Sequence, residues 1–237
     1  MTGAPIVLVP GFWLGAWAWD EVAAILRSRG HAVLAITLPG LEPDHADRGG
    51  VTMQDHIDAI RDAVESFDAP VVLALHSGAG FSGYAATDFV PERVASVVYV
   101  DTAPGKGAIN PEWTEPEYPL PSWEELVADG NPLTGLTEEQ LETFRSRAVP
   151  EPRAGLAETP VLVDPRRLDI RSVVVCCAVR SEEIQAWIPS GMPFLAGLQE
   201  LKHVEYVELP TSHWPMWSET ERLAEILSAE SRRATGE

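Results

Sequence analysis

The sequence predicts an α/β protein with a mostly parallel sheet of about six strands and helices on both faces. Short apolar runs alternate with helical segments along most of the chain, and most of these runs are apolar throughout. Such runs are typical of parallel strands that are buried on both faces. The predicted strands cover residues 6–9, 33–36, 71–75, 94–100, 173–179 and 204–209.

The helices between these strands have recognisable start and stop signals. An amphipathic helix over 17–29 ends at Gly30, a residue that commonly terminates helices. Thr52 and Asp55 form a predicted capping box for a helix that ends near residue 67. A helix of small residues follows over 78–89, and a closing helix covers 219–230. We expect the tail, residues 231–237, to fray.

Residues 103–170 interrupt the alternation and predict an inserted lid between two core segments, 1–102 and 171–237. The insertion is rich in proline, and predicted capping boxes begin at Ser122 and Thr137. A structureless segment of this length is improbable in a compact domain. We therefore expect a short helical lid over the carboxyl edge of the sheet.

Size, charge and cysteine content limit the function classes. The chain has 237 residues and a net charge of −19, which argues against nucleic acid and anionic membranes as partners. Cys176 and Cys177 are adjacent in an apolar run, so a disulfide framework is excluded and no metal-ligand spacing is present. We expect a cytoplasmic protein with a small-molecule substrate and with no signal peptide, membrane span, metal ion or cofactor. The sequence leaves the oligomeric state open, a homodimer included.

Three residues with complementary chemistry follow the ends of predicted strands. Ser77 follows the third strand, Asp101 ends the fourth, and His213 follows the last. The carboxyl ends of parallel strands form the edge where ligands bind in open sheets. A histidine base activates a serine hydroxyl, and a carboxylate orients that histidine. The residues and their order in the chain therefore indicate acyl-transfer chemistry.

Ser77 lies at a predicted strand-to-helix turn within Leu75-His76-Ser77-Gly78-Ala79. Such a turn lifts the hydroxyl clear of the sheet, and the first helical N–H groups face the same space, where they can hold an oxyanion. The usual pattern is G-x-S-x-G, and Leu75 occupies its first small position. The plainer interpretation of Ser77 is a helix-capping serine.

These motifs resemble those of the α/β-hydrolases, and the resemblance covers nearly the whole chain. The branch that they resemble is that of the small esterases and hydroxynitrile lyases, which have a short lid. The matching pieces are residues 7–17 (VLVPGFWLGAW), 38–40 (LPG), 76–80 (HSGAG) and 212–215 (SHWP).

The resemblance implies the α/β-hydrolase fold and roles for individual residues. Ser77 would be the nucleophile and His213 the base, and the backbone N–H groups of Phe12 and Gly78 would form the oxyanion hole. The family often has His-Gly in the loop after the first strand. Because this chain has Pro10 before Gly11, we expect the supporting hydrogen bonds of that histidine to be missing.

The acid partner of His213 is left open between two regions. Related enzymes usually place it after the strand before the last, where this chain has Glu182 and Glu183 but no aspartate. Some members place it after the strand that follows the nucleophile's helix, which is the position of Asp101. We favour Asp101 over Glu182, although geometry decides such roles.

The remaining histidines and tryptophans have plainer interpretations. Strand alternation points His76 away from Ser77, and the histidines at the surface are predicted to be His31, His45, His56 and His203. Most of the eight tryptophans are expected in core or lid packing. The tryptophans that could line an apolar substrate pocket are Trp13, Trp113, Trp123 and Trp214.

The sequence therefore favours a serine hydrolase, most simply a carboxylesterase for a small apolar or aromatic ester. One alternative is a cofactor-free C–C lyase that uses the same triad and needs a cation near the leaving anion, for which Lys106 is the only lysine in the lid. Another is a non-catalytic ligand-binding protein on this fold. Pro10 and the missing aspartate near Glu182 favour the latter, whereas the intact Ser77 and His213 argue against it.

Overall fold

A computed structural model of the chain describes residues 2–44 and 47–236 and contains a six-stranded parallel sheet. Within these residues the strands are β1 Ile6–Val9, β2 Val33–Ala35, β3 Val71–His76, β4 Val94–Val100, β5 Glu117–Tyr118, β6 Glu151–Pro152, β7 Arg171–Cys176 and β8 Val204–Glu208. The sheet order is β2-β1-β3-β4-β7-β8, and every pair in it is parallel. The predicted fold class is therefore confirmed. The pair β5 and β6, which the sequence analysis did not predict, is antiparallel and separate.

The helices lie between the strands and cover both faces of the sheet. Their bounds are α1 Asp20–Ser28, α2 Met53–Glu65, α3 Ala79–Phe89, α4 Trp123–Ala128, α5 Glu138–Arg147, α6 Ala154–Ala157, α7 Ser181–Trp187, α8 Pro215–Ser218 and α9 Thr220–Thr235. The predicted capping boxes at Thr52, Ser122 and Thr137 are all formed. These reciprocal hydrogen bonds satisfy backbone N–H groups that the first helical turn leaves unpaired.

Alternate residues of each central strand belong to two separate apolar cores. Val7 and Leu73 pack in the core that includes side chains of α2 and α3, whereas Leu8 and Val72 pack in the core that includes side chains of α1 and α9. Because side chains alternate across a strand and both faces are covered, the strands need continuous apolar sequence. Cys176 and Cys177 follow the same rule and lie buried in opposite cores.

The C-terminal helix extends further than the sequence predicts. Helix α9 continues to Thr235, and Ser231 is fully buried. The Ser231 carbonyl accepts a hydrogen bond from Ala4 N–H at 2.9 Å, and its hydroxyl donates to the Ala4 carbonyl at 2.6 Å. The expectation that this tail frays is wrong for residues 231–235, because these bonds and the buried face attach the last turns to the segment just before β1.

The connection between β4 and β7, residues 103–170, is called the β4–β7 segment below. It contains the short strands β5 and β6 and the helices α4, α5 and α6. Asp88 of α3 accepts backbone N–H groups from Val163 and Asp164, both at 2.8 Å, and so attaches the end of this segment to the core.

Asp88 also belongs to a buried cluster of charged residues around Arg167. Arg167 is 7% exposed and forms ion pairs with Asp88 at 2.9 Å and with Glu200 at 3.0 Å. Glu200 also accepts hydrogen bonds from the Tyr84 hydroxyl and from Lys106. The burial of Asp88 and Arg167 makes this cluster sensitive to the loss of either charge.

None of the helices that the structure describes is both long and apolar enough to cross a membrane.

Leu75, which replaces the first small residue of the nucleophile motif, is accommodated by a glycine on the following helix. A Cβ atom at Gly83 of α3 would lie 2.2 Å from Cδ2 of Leu75, so any side chain there would force Leu75 to shift. The side chain of Leu75 on β3 therefore occupies the space that a side chain at position 83 of α3 would need.

We expect Gly83→Ala to destabilise the protein by about 1–3 kcal/mol, because an added methyl group overpacks this site. The same substitution in a Leu75→Ala background should cost much less, since the methyl group then fills vacated space. Urea unfolding of the four proteins in this cycle measures the coupling. Equal costs in both backgrounds would show that Leu75 and Gly83 are not matched.

Candidate active site

Ser77 occupies the turn between β3 and α3 with a strained backbone. Its φ is +51°, a value that residues with a side chain rarely adopt. The backbone is held in place by a hydrogen bond from Ser77 N–H to the Val100 carbonyl at 3.3 Å and by one from the Thr102 hydroxyl to the Ser77 carbonyl at 2.7 Å. Strain of this kind persists where the surroundings enforce it.

His213 and Asp101 complete a chain of hydrogen bonds from the Ser77 hydroxyl. Nε2 of His213 lies 2.8 Å from Oγ of Ser77, and Nδ1 lies 2.6 Å from Oδ2 of Asp101. The side chains of His213 and Asp101 are 12% and 7% exposed. A hydroxyl, an imidazole and a carboxylate in this order can carry out nucleophilic catalysis with a general base.

The Asp101 carboxylate is held by hydrogen bonds from the residues that follow the neighbouring strand β7. Its Oδ1 accepts backbone N–H groups from Cys177 at 2.9 Å and from Ala178 at 2.8 Å. Asp101 also has a positive φ of +46°. The N–H groups of Cys177 and Ala178 can reach Asp101 because β4 and β7 are adjacent in the sheet. With Oδ1 bound to them, Oδ2 is free to face His213.

Glu182 and Glu183, the alternative acids, lie elsewhere. Both are exposed in the first turn of α7, and Glu183 accepts the Arg180 backbone N–H at 3.3 Å. Among the described residues, the carboxylate that contacts the His213 ring is that of Asp101.

The loop after β1 approaches Ser77 closely. A Cβ atom at Gly11 would lie 2.6 Å from Cβ of Ser77, and one at Gly78 would lie 2.2 Å from the Phe12 ring. The glycines therefore allow the loop that carries Phe12 to lie close to Ser77 and to the N-terminal end of α3. Backbone N–H groups in such a position are suited to hold an oxyanion.

His76 supports this loop, a role that the sequence analysis missed. Its Nδ1 accepts the Gly11 N–H at 3.3 Å, and its Nε2 lies 2.8 Å from the His213 carbonyl. Burial lowers the pKa of His76 to about 3, so the ring is neutral and can accept at one nitrogen while it donates at the other. His76 therefore connects the loop after β1 to the backbone of His213.

A cavity of about 620 Å³ opens beside Ser77. Trp13 and Trp113 line it, together with other apolar residues that include Phe81, Tyr118, Leu156, Ile184 and Leu195. Trp123 and Trp214 do not line it, contrary to expectation. Trp214 is 1% exposed, and both rings pack against Phe144.

Two of the other histidines are also placed differently from the prediction. His31 and His56 are buried rather than at the surface, since Nε2 of His31 lies 2.7 Å from the Ser228 hydroxyl and Nε2 of His56 lies 2.8 Å from the Pro39 carbonyl. His203 is exposed as predicted, and His45 lies outside the described residues.

Both cysteine thiols are buried and form no disulfide. Burial raises the pKa of the Cys176 thiol to about 12 and raises that of Cys177 further, so neither is a thiolate at neutral pH. In the ranges 2–44 and 47–236, no three His, Cys, Asp or Glu side chains are grouped so that they could hold a metal ion.

Comparison with known proteins identifies the family. A sequence model of the alpha/beta hydrolase family matches residues 6–226. The chain therefore belongs to the alpha/beta hydrolase family, and the predicted fold and enzyme class, hydrolase, are confirmed.

Relatives and solved structures with this fold are diverse. The chain is 27% identical to a carbendazim hydrolyzing esterase from Nocardioides sp. (strain SG-4G), a match that covers 95% of the chain and 99% of the relative. It is also 32% identical to methylesterase 7 from Arabidopsis thaliana over 133 residues. That match covers 52% of this chain and 46% of the methylesterase.

The solved structures include tomato methylketone synthase I with beta-ketoheptanoate, at 17% identity and a TM-score of 0.76, with 99% of this chain and 100% of that chain covered. An extracellular alpha/beta-hydrolase from a Paenibacillus species matches with a TM-score of 0.74 and 21% identity, covering 97% and 99% of the two chains. At these identities the likeness concerns the fold alone.

Proposed function

We propose that this protein is a carboxylesterase that uses Ser77, His213 and Asp101 as a catalytic triad. The observation that carries the proposal is the continuous hydrogen-bonded chain from Oγ of Ser77 through His213 to Asp101, at 2.8 and 2.6 Å. The similarity to esterases, including the full-length match to the carbendazim hydrolyzing esterase, supports an ester as substrate.

The mechanism follows from the positions of these groups. Oγ of Ser77 attacks the ester carbonyl while Nε2 of His213 takes its proton. The backbone N–H groups of Phe12 and Gly78 stabilise the oxyanion, and Asp101 stabilises the imidazolium. His213 then gives the proton to the leaving alcohol, and a water molecule activated by the same base hydrolyses the acyl-enzyme.

The cavity indicates an uncharged, apolar or aromatic ester. Among the described residues that line it, there is no lysine or arginine to pair with an anionic group, and the acidic ones are Asp101 and Asp129. Asp101 is bound to His213, whereas Asp129 is exposed on the rim. A substrate with a free carboxylate is therefore disfavoured by charge.

The placement of Lys106 favours hydrolysis over C–C lysis. Its Nζ lies 2.9 Å from Oε2 of Glu200, and the residue is not part of the cavity lining. A lyase that stabilises a leaving anion with this cation would need Lys106 at the cavity. The acyl-enzyme reaction needs no such cation.

A fluorophosphonate, which reacts with activated serines, tests the proposal by intact mass. We expect one adduct on the native chain and none on Ser77→Ala. His213→Ala, which leaves the serine hydroxyl in place, should label far more slowly because the base is lost. An unlabelled native chain would contradict the triad and favour the non-catalytic alternative.

Hydrolysis itself is then measured on a panel of matched methyl esters. Neutral phenyl-substituted esters should have higher kcat/KM values than analogues with a carboxylate on the ring. Equal values for the two sets would contradict the substrate class, although not the esterase activity.

A further inference from the structure

A glutamate of the β4–β7 segment is buried directly behind the loop that carries Phe12. Glu151 is 1% exposed, and it lines a cavity of about 10 Å³ together with Gly11, Phe12 and Gly78. Oε2 of Glu151 has no hydrogen-bond partner among the described residues. A buried carboxyl oxygen without a partner is costly, so its presence calls for a functional explanation.

The neighbourhood of Glu151 is built to admit the carboxyl group. A Cβ atom at Gly155 would lie 2.3 Å from Oε1 of Glu151, so glycine leaves the space that the carboxyl occupies. The cavity is at the lower limit for one water molecule, so it has no room for the several water molecules that surround a carboxylate in solution.

Glu151 interacts with the oxyanion loop through Trp13. The backbone N–H of Trp13 lowers the pKa of the Glu151 carboxyl, which indicates that the two groups are close, and Trp13 has a strained φ of +66°. The Trp13 carbonyl accepts the Val149 N–H at 3.0 Å, and the Trp13 indole N–H donates to the Tyr118 carbonyl at 3.0 Å. The carbonyl and the indole N–H of Trp13 are therefore both hydrogen-bonded to the β4–β7 segment, on which Glu151 also lies.

We propose that Glu151 is a positioning residue through which the β4–β7 segment holds Trp13, and with it the adjacent Phe12 N–H, in place for the oxyanion. The inference rests on the proposed esterase function. It assigns to the segment a part in catalysis besides lining the cavity.

The proton on Glu151 matters to this role. Burial raises the pKa of the carboxyl to about 8, and the Trp13 N–H opposes that shift only in part. Glu151 is therefore neutral at pH 7. Its ionisation at higher pH would place an uncompensated negative charge next to the site where the oxyanion develops, and like charges repel most strongly at buried sites.

The surrounding groups do not neutralise such a charge. From α2, His56 lines the same cavity, but burial lowers its pKa and keeps it neutral. From α3, the uncharged Ser82 lines the cavity, and the loop of residues 10–13 carries no charged side chain. The nearby Arg153 donates through Nε to the Trp113 carbonyl, and Glu158 accepts the Met53 N–H. Within the described residues, Glu151 takes part in no ion pair.

The pH dependence of ester hydrolysis tests this role with three variants. Wild-type kcat/KM should fall by about tenfold as pH rises from 7 to 9.5, a part of the 10²–10³-fold that loss of an oxyanion donor costs. Glu151→Gln, which has the same shape and cannot ionise, should remove that decline. Glu139→Gln, an exposed glutamate on α5, serves as the matched control and should retain the wild-type profile.

A nonpolar variant separates positioning from packing. Glu151→Leu cannot accept the Trp13 N–H, and we expect about tenfold lower kcat at pH 7 with KM changed by less than about twofold, because the loss concerns the transition state. Glutamine at this position should restore most of kcat. An unchanged alkaline decline in Glu151→Gln, or equal kcat for the leucine and glutamine variants, would overturn the proposal.

Hydrogen exchange by mass spectrometry provides a readout that needs no substrate. At pH 7, peptides that cover residues 11–16 should exchange faster in Glu151→Leu than in wild type, and Glu151→Gln should be close to wild type. Unchanged exchange in the leucine variant would overturn the positioning role. If wild type hydrolyses no ester, the esterase proposal fails, and this exchange result alone decides how the loop is held.

Discussion

Asp101→Asn is expected to lower kcat by about 10⁴-fold with little effect on the fold, whereas Glu182→Gln should change kcat by less than about twofold. The amide oxygen of the new residue can still accept the Cys177 and Ala178 N–H groups that Oδ1 of Asp101 accepts. Its NH₂ group would then face Nδ1 of His213. That nitrogen would have to accept a hydrogen bond, so the proton would move to Nε2, which faces Ser77 and could no longer act as the base.

The measurement is kcat for the best ester of the panel, with thermal unfolding of each variant as the control for folding. The two variants carry matched acid-to-amide changes, one buried and one exposed. A large loss in Glu182→Gln together with full activity in Asp101→Asn would assign the acid to α7 and contradict the geometry. A large loss in both would show that α7 also supports the site.

The second large effect concerns stability. Arg167→Met should lower the free energy of unfolding by about 3–5 kcal/mol, because it leaves a buried carboxylate without its cation. The Asp88 side chain is 1% exposed, and in the variant it would keep only the backbone N–H groups of Val163 and Asp164. The methionine retains much of the side-chain length, so the loss reports mainly on charge.

Arg166→Met is the matched control, since Arg166 precedes Arg167 in the chain and its side chain is 66% exposed. Its pairs with Asp164 and Glu92 lie at the surface, where an ion pair contributes about 0–1 kcal/mol. Urea unfolding of both variants gives the comparison. Similar losses would show that the buried cluster is not specifically dependent on Arg167.

Local sequence patterns were sufficient to predict the turn that carries Ser77 and the position of His213 at the edge of the sheet. A continuous apolar strand followed by Ser77-Gly78 predicts the turn, and the position of His213 after the last strand predicts its arrival at the same edge of the sheet. Both positions depend on short-range backbone geometry and on the parallel order of strands. These are properties that residue patterns carry.

The identity of the acid partner could not be derived in this way. Asp101 and Glu182 both lie at or just beyond the ends of predicted strands, so the sequence favours Asp101 without deciding between the two. The structure distinguishes them because β4 lies next to β7, where the N–H groups of Cys177 and Ala178 can seat the Asp101 carboxylate. These two contacts join residues that are 76 and 77 positions apart, and local sequence patterns carry no information on such pairs.

Local sequence also failed to predict the burial and the contacts of three histidines. His31 and His56 have sequence surroundings that suggest exposure, yet both are buried with hydrogen-bond partners. His76 was predicted only to point away from Ser77, and its contacts with Gly11 and the His213 carbonyl depend on three separate parts of the chain.

The sequence by itself determined the parallel α/β architecture, the turn at Ser77 and the place of His213, because apolar periodicity and turn chemistry act over short distances. Only the tertiary structure decided that Asp101 meets His213, that His76 contacts the loop after β1, and that Glu151 is buried beside that loop. Each of these depends on which strands are neighbours and on which side chains lose their water. Both are settled when distant parts of the chain pack together.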